Sequence, residues 1–151
     1  MENILKAKIL FVDDDEALGK YTKEALEARG HKVDWIREDA WERAAAAIDA
    51  IADKDWDLLI LDIKYPTDNW GGLWLYNQLV RKGLRSCWGG REIIYSQYFM
   101  GKVDLQKAKD SQMFTLRVFL DTANIPFDRA MSNQTFDRAT LVQKIDEVLR
   151  R

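Results

Sequence analysis

Two apolar runs in this chain end in aspartate: Ile9-Leu10-Phe11-Val12 leads into Asp13, Asp14 and Asp15, and Leu58-Leu59-Ile60-Leu61 leads into Asp62. Short apolar runs flanked by helix-patterned segments read as parallel strands buried on both faces, and ligands bind such sheets at the carboxyl ends of the strands. If the two strands are neighbours, their acids converge. Carboxylates brought that close repel one another unless some are protonated or a hard cation is shared between them, and Mg²⁺ with its preference for oxygen is the usual cation. The expectation is a small acidic metal pocket.

The rest of the chain alternates in the same way. After the first strand, Leu18, Tyr21, Ala25 and Ala28 share a helical face, and Gly30 stops the helix. Val33 to Ile36 reads as a second strand. Asp39 is placed to cap a helix whose Trp41, Ala44, Ala45, Ile48, Ile51 and Ala52 form one apolar stripe. The strand ending at Asp62 gives way to a loop from Lys64 to Gly72, then to a helix from about Leu73 to Lys82, with Cys87 and Trp88 in a following loop. Glu92 to Ser96 reads as strand four, and Val103 to Asn124 as helical with a blurred apolar period. Arg129 to Ser132 is a short fifth strand, and Leu141, Val142, Ile145, Val148 and Leu149 mark a terminal helix. Strands and helices in strict alternation imply an α/β fold, a (βα)₅ doubly wound parallel five-stranded sheet covered on both faces.

Composition bounds what such a fold serves. At 151 residues, 47% hydrophobic and 32% charged, the chain suits a single domain over 1–151 with a real core. A formal charge of −2 and a pI near 5.5 lack the basic excess of a nucleic-acid or membrane surface. The single cysteine, Cys87, excludes an internal disulfide and suits a reducing compartment. With no signal-like apolar stretch at the start and no run near the ~20 residues of a membrane span, a cytoplasmic location is expected.

The chain resembles the receiver domain of two-component response regulators over nearly its whole length. Val12-Asp13-Asp14 is similar to the family's acidic pair, Asp62-Ile63-Lys64-Tyr65-Pro66 with Gly72-Leu73 to its phosphoacceptor segment, and Ser96 to its Ser/Thr position. The resemblance implies a flavodoxin-like receiver fold, with Asp62 as phosphoacceptor and Ser96 as switch hydroxyl. It also implies Mg²⁺ held by Asp13, Asp14, Asp62 and the main-chain carbonyl of Lys64. Implied partners are a sensor histidine kinase or phosphotransfer protein and a downstream protein target. With the chain ending at Arg151, no output domain is expected. Symmetric dimers are common in the family, and Leu116, Phe119 and Leu120 are candidates for such a face.

The match breaks at strand five. The family's lysine there has no counterpart in Ala130-Met131-Ser132-Asn133-Gln134-Thr135-Phe136, where Asn133 or Gln134 takes its place, and Ala130 or Met131 stands for the switch aromatic. Gln97 replaces the small residue usual after the Ser/Thr, and two residues are inserted around Asp68-Asn69-Trp70. Lys64, two positions past the acceptor, is either an exposed lysine or a compensating cation. Asp15 suits a helix cap better than a metal ligand, and His31 a structural role far from the acids. Trp70 and Trp74, flanking Gly71-Gly72, either pack the loop or offer a partner patch.

Three functions follow: a phosphoacceptor signalling module, a degenerate receiver that binds partners without phosphorylation, and a haloacid-dehalogenase-like phosphohydrolase. The last uses the Asp13-x-Asp15 spacing as nucleophile and acid/base, but leaves the Asp62 segment unexplained.

Overall fold

The computed structural model describes residues 6–63, 65, 68–96, 111–132 and 139–150. Five parallel strands form one sheet in the order β2-β1-β3-β4-β5, with β1 at Lys8–Val12, β2 at Lys32–Ile36, β3 at Leu58–Leu61, β4 at Glu92–Ser96 and β5 at Ala130–Ser132. The helices are α1 (Glu16–Ala28), α2 (Trp41–Asp49), α3 (Gly71–Arg81), α4 (Ser111–Ala123) and α5 (Ala139–Leu149). The predicted doubly wound sheet is the observed one.

Side-chain alternation along the strands divides the core in two. Leu10, Val12, Leu59, Leu61 and Ile94 face α2, α3 and α4, where Ile48, Leu75, Leu79, Leu116 and Leu120 meet them. Ile9, Phe11, Leu58, Ile60, Ile93 and Tyr95 face the other way, onto Leu26 of α1 and Leu141, Ile145 and Val148 of α5. All four residues of β3 are fully buried, and each such apolar side chain contributes roughly 1.5–3 kcal/mol relative to exposure. This is why the strand tolerates no polar residue until it reaches Asp62.

Several local expectations shift. The buried face of α1 is Gly19, Thr22 and Leu26, one position round from the expected one, and Tyr21 is half exposed at 50%. The Trp35 ring sits where that face meets the sheet, and only glycine leaves room for it: a Cβ on Gly19 would lie 2.3 Å from Trp35 Cζ2. Asp39 does not cap α2; Ala40 holds that position without a side-chain bond, and Asp39 pairs with Arg43 instead. The helix stops at Asp49, leaving Ala52 exposed. Cys87 and Trp88 lie not in an open loop but in a 3₁₀ turn, Leu84–Trp88, whose Trp88 is fully buried. Residues 103–110 of the long helical segment lie outside the described residues. Leu116, Phe119 and Leu120 are core residues, exposed by 0, 9 and 0%, so they are not available to a dimer face. Gly30 (φ 92°) ends α1 as expected. Among the described residues, no helix is long and apolar enough to cross a membrane.

Candidate functional site

The site is a consequence of strand register. Val12 pairs with Leu61 across β1 and β3, so the next residues, Asp13 and Asp62, emerge side by side, and the Asp62 N–H donates to the Val12 carbonyl at 2.9 Å. Asp13 and Asp62 are buried, and Asp14 is half-buried. One carboxylate oxygen from each of Asp13, Asp14 and Asp62 lies within 4.8 Å of the others. The structure thus brings together three of the four residues expected to hold a cation; the fourth, Lys64, lies outside the described residues.

Asp13 is held from several sides. Its N–H donates to the Ile36 carbonyl at 3.1 Å, extending the β1–β2 ladder by one rung. Its Oδ1 accepts from the Asp15 N–H at 2.9 Å, and its main-chain oxygen accepts from Trp35 Nε1 at 2.9 Å. Its Oδ2 is buried and has no donor among the described residues. Burial is the main reason the Asp13 carboxyl is pushed up to about 7; the Asp15 N–H opposes this, and the Asp14 and Asp15 charges reinforce it. An all-oxygen donor set with an orphaned buried oxygen fits a hard divalent cation.

Asp15 takes the expected capping role, its Oδ1 accepting from the Leu18 N–H at 2.9 Å. That bond uses a carboxylate the Asp13-x-Asp15 phosphohydrolase reading requires for proton transfer. Asp62 Oδ1 accepts from the Ile63 N–H at 2.8 Å. Tyr65 and Asp68 exchange backbone bonds of 3.0 and 3.2 Å, and Asp68 Oδ1 accepts from the Trp70 N–H at 2.9 Å.

Tyr65 stands in the acceptor segment and in the loop from Lys64 to Gly72, and nothing in the sequence marks it as buried. It is 1% exposed, and burial, then the charges of Asp62, Asp14 and Asp13, raise its phenol well above the usual range, so it stays protonated. Trp35 falls within the strand Val33 to Ile36, and nothing in its spacing announces a bond to the acidic turn.

Ser96 closes β4 opposite Ser132 of β5, whereas Gln97, Asn133 and Gln134 lie outside the described residues. Trp70 is half-buried against the core, whereas Trp74 is 53% exposed. Both line a cleft of about 530 Å³ between α3 and α4, where Val80 and Val118 are also exposed. His31, 4% exposed, sits at the opposite end of the sheet from the acids and accepts from the Ala7 N–H through Nδ1 at 3.0 Å. Its role is structural, as expected.

No protein-family model matches the sequence, and no curated protein does. Solved structures do match in fold. The non-phosphorylated HemR receiver domain of Leptospira biflexa superposes with a TM-score of 0.64 at 19% identity, over 95% of this chain and 94% of that one. A CheY-like response regulator receiver domain protein of Methanospirillum hungatei gives 0.65 at 22%, over 97% and 95%. The BeF₃-activated N-terminal receiver domain of Klebsiella pneumoniae RstA gives 0.62 at 24%, over 95% and 99%. The chain therefore has the fold of response-regulator receiver domains, the CheY-like variant of the flavodoxin-like architecture.

Proposed function

We propose that the chain is a receiver module of a two-component phosphorelay. In this reading Asp62 accepts a phosphoryl group, Mg²⁺ is held by Asp13, Asp14, Asp62 and the Lys64 carbonyl, and the phosphorylated state is read through protein contacts. The observation that carries it is the meeting of three carboxylates within 4.8 Å at the carboxyl ends of β1 and β3.

In the transfer, an Asp62 carboxylate oxygen forms a bond to phosphorus as the donor's bond to phosphorus breaks. The products are an acyl phosphate and the freed donor, a histidine of a sensor kinase or phosphotransfer protein. When bound, Mg²⁺ neutralises charge on the transferring phosphoryl oxygens. The chain's own residues do the positioning. The β1–β3 register sets Asp62 beside the acidic pair, the Asp15 N–H occupies Asp13 Oδ1 and so leaves Oδ2 for the cation, and burial limits water at Asp62. The Ser96 hydroxyl hydrogen-bonds the new phosphoryl oxygens and passes the change to the nearby surface, and Lys64 is the candidate for the cation that strand five lacks. The module turns over no substrate beyond its own phosphorylation and dephosphorylation.

The alternative, a receiver that binds its partner without phosphorylation, is favoured by the absence of any lysine from Ala130 to Phe136. Intact-protein mass after incubation with acetyl phosphate separates the two. A phosphoryl adduct that requires both Mg²⁺ and Asp62 supports the phosphoacceptor; no adduct on folded, Mg²⁺-loaded protein supports the phosphorylation-independent module.

A further inference from the structure

We propose that Trp35 is a positioning residue of the cation site, fixing Asp13 through its main-chain carbonyl. The inference rests on the receiver reading of the acidic triad and adds to it a residue from the neighbouring strand.

The Trp35 ring is held by three residues. It stacks on Phe11 of β1 with ring centroids 6.3 Å apart and planes 23° apart. Gly19 of α1 makes room for it, since a Cβ there would stand 2.3 Å from Cζ2 and 2.7 Å from Cε2. The Arg37 guanidinium lies 5.2 Å from the ring centroid. A ring seated so firmly gives its N–H one direction, and Nε1 reaches the Asp13 carbonyl at 2.9 Å.

That carbonyl lies just past the last ladder bond of β1, the Asp13 N–H to Ile36. A buried carbonyl beyond the ladder needs another donor, and the indole provides it. The Asp13 carbonyl and the Asp14 N–H belong to one rigid peptide plane, so orienting the carbonyl also sets the direction in which Asp14 leaves Asp13. One indole N–H thereby preorganises both acids of the pair, and ligands ordered in advance bind a cation more tightly than ligands that must be ordered on binding. A ring that only filled space would have no use for its N–H.

The test is Mg²⁺ binding by titration calorimetry to the wild type and to Asp14→Asn, Trp35→Phe and Trp56→Phe. Trp35→Phe keeps an aromatic ring and removes the donor. Trp56→Phe is its matched control, because Trp56 Nε1 donates to Asp34 Oδ2 at 2.8 Å just ahead of β3, at the amino end of that strand. Without the Trp35 donor the acids must be ordered on binding, and an ordering cost of about 1 kcal/mol corresponds to roughly fivefold in affinity. The expected result is Mg²⁺ affinity about fivefold weaker in Trp35→Phe and unchanged in Trp56→Phe, even where both variants lose thermal stability. Equal weakening in both, or none in Trp35→Phe while Asp14→Asn abolishes binding, overturns the role of Trp35 and leaves the triad standing. Wild-type protein that binds no Mg²⁺, or binds it equally well with Asp14→Asn, overturns the triad and the Trp35 role together. If Trp35→Phe does not fold, the wild-type Trp35 indole N–H resonance, assigned through its contacts to Gly19, decides. A shift on Mg²⁺ addition supports the proposal, and a static resonance in Mg²⁺-loaded protein overturns it.

Discussion

Gly72 stands against the backbone of Asp62: a Cβ at Gly72 would lie 2.2 Å from the Asp62 main-chain oxygen and 2.6 Å from Ile63 Cα. The Gly72 N–H donates to the Ile63 carbonyl at 2.7 Å, so the first turn of α3 is clamped onto the turn that carries the acceptor. In an open helix interior, Gly→Ala gains up to about 1 kcal/mol in propensity. Here the added carbon meets backbone that cannot rotate away, and overpacking of that kind costs about 1–3 kcal/mol. Gly72→Ala is expected to lose about 2 kcal/mol by urea unfolding and to accept phosphate poorly. Unchanged stability would show that α3 does not need this close approach.

Asp13 links pH to stability. Its carboxyl titrates near 7 in the folded protein against an ordinary value of 3.8, so folding favours the protonated form. The protonated Asp13 carboxyl therefore contributes stability to the metal-free protein that is fully present below about pH 4 and is lost as pH rises through about 7. Asp13→Asn removes that loss. The variant is expected to exceed the metal-free wild type by on the order of 2–4 kcal/mol at pH 8, and by little at pH 4. Urea unfolding at the two pH values checks this; a constant difference would place the effect elsewhere than in the Asp13 charge.

Glu92 and Arg85 form an unequal pair. Arg85 Nε and Nη2 donate to the two Glu92 oxygens at 3.0 and 2.9 Å, and Trp88 Nε1 donates to Oε2 at 2.5 Å. The Glu92 side chain is 2% exposed, against 32% for Arg85. Removing Arg85 leaves a buried carboxylate that has lost its charged partner, whereas removing Glu92 leaves an arginine that can reach water. Arg85→Ala is accordingly expected to destabilise more than Arg85→Ala combined with Glu92→Gln, by about 1 kcal/mol. A double variant less stable than the single one would contradict this.

His31 gives a signal that can be followed directly, being the only histidine. Burial, the largest effect, lowers its pKa below the ordinary 6.5; Asp146 opposes the shift and Arg29 adds to it. Since Nδ1 accepts from the Ala7 N–H, protonation would break that bond. The neutral ring stabilises the fold above about pH 6.5, and this contribution is lost as pH falls through the folded pKa. The imidazole proton resonance is expected to titrate with a midpoint below 6.5; a midpoint above it would mean that the Ala7 bond does not hold in solution.

The sheet was legible because its strands are so fully buried that Ile9–Val12 and Leu58–Leu61 admit only apolar residues, and the acids that follow mark where burial by the sheet ends. The meeting of Asp13, Asp14 and Asp62 needed only one further assumption, that those two strands are neighbours. What sequence could not supply were contacts fixed by tertiary packing. The α1 face depends on a tryptophan ring from β2 pressed against Gly19, and the Asp39–Arg43 pair competes with capping. Leu116, Phe119 and Leu120 stand as dimer-face candidates only through the family resemblance, and the blurred apolar period of their segment does not show which of its faces meets the sheet. Trp35 carries no motif, and Tyr65 lies in the acceptor segment without a role of its own; their places beside the acids come from strand order and from the Tyr65–Asp68 backbone pairing.

The central claim is that Asp62 accepts the phosphoryl group, and borohydride trapping tests it most directly. Reduction of an aspartyl phosphate leaves homoserine at the modified position, which peptide mass mapping locates. After acetyl phosphate and Mg²⁺, the account predicts homoserine at position 62 alone, absent without Mg²⁺. Homoserine at 13 or 14, or none in folded protein that binds Mg²⁺, would contradict it.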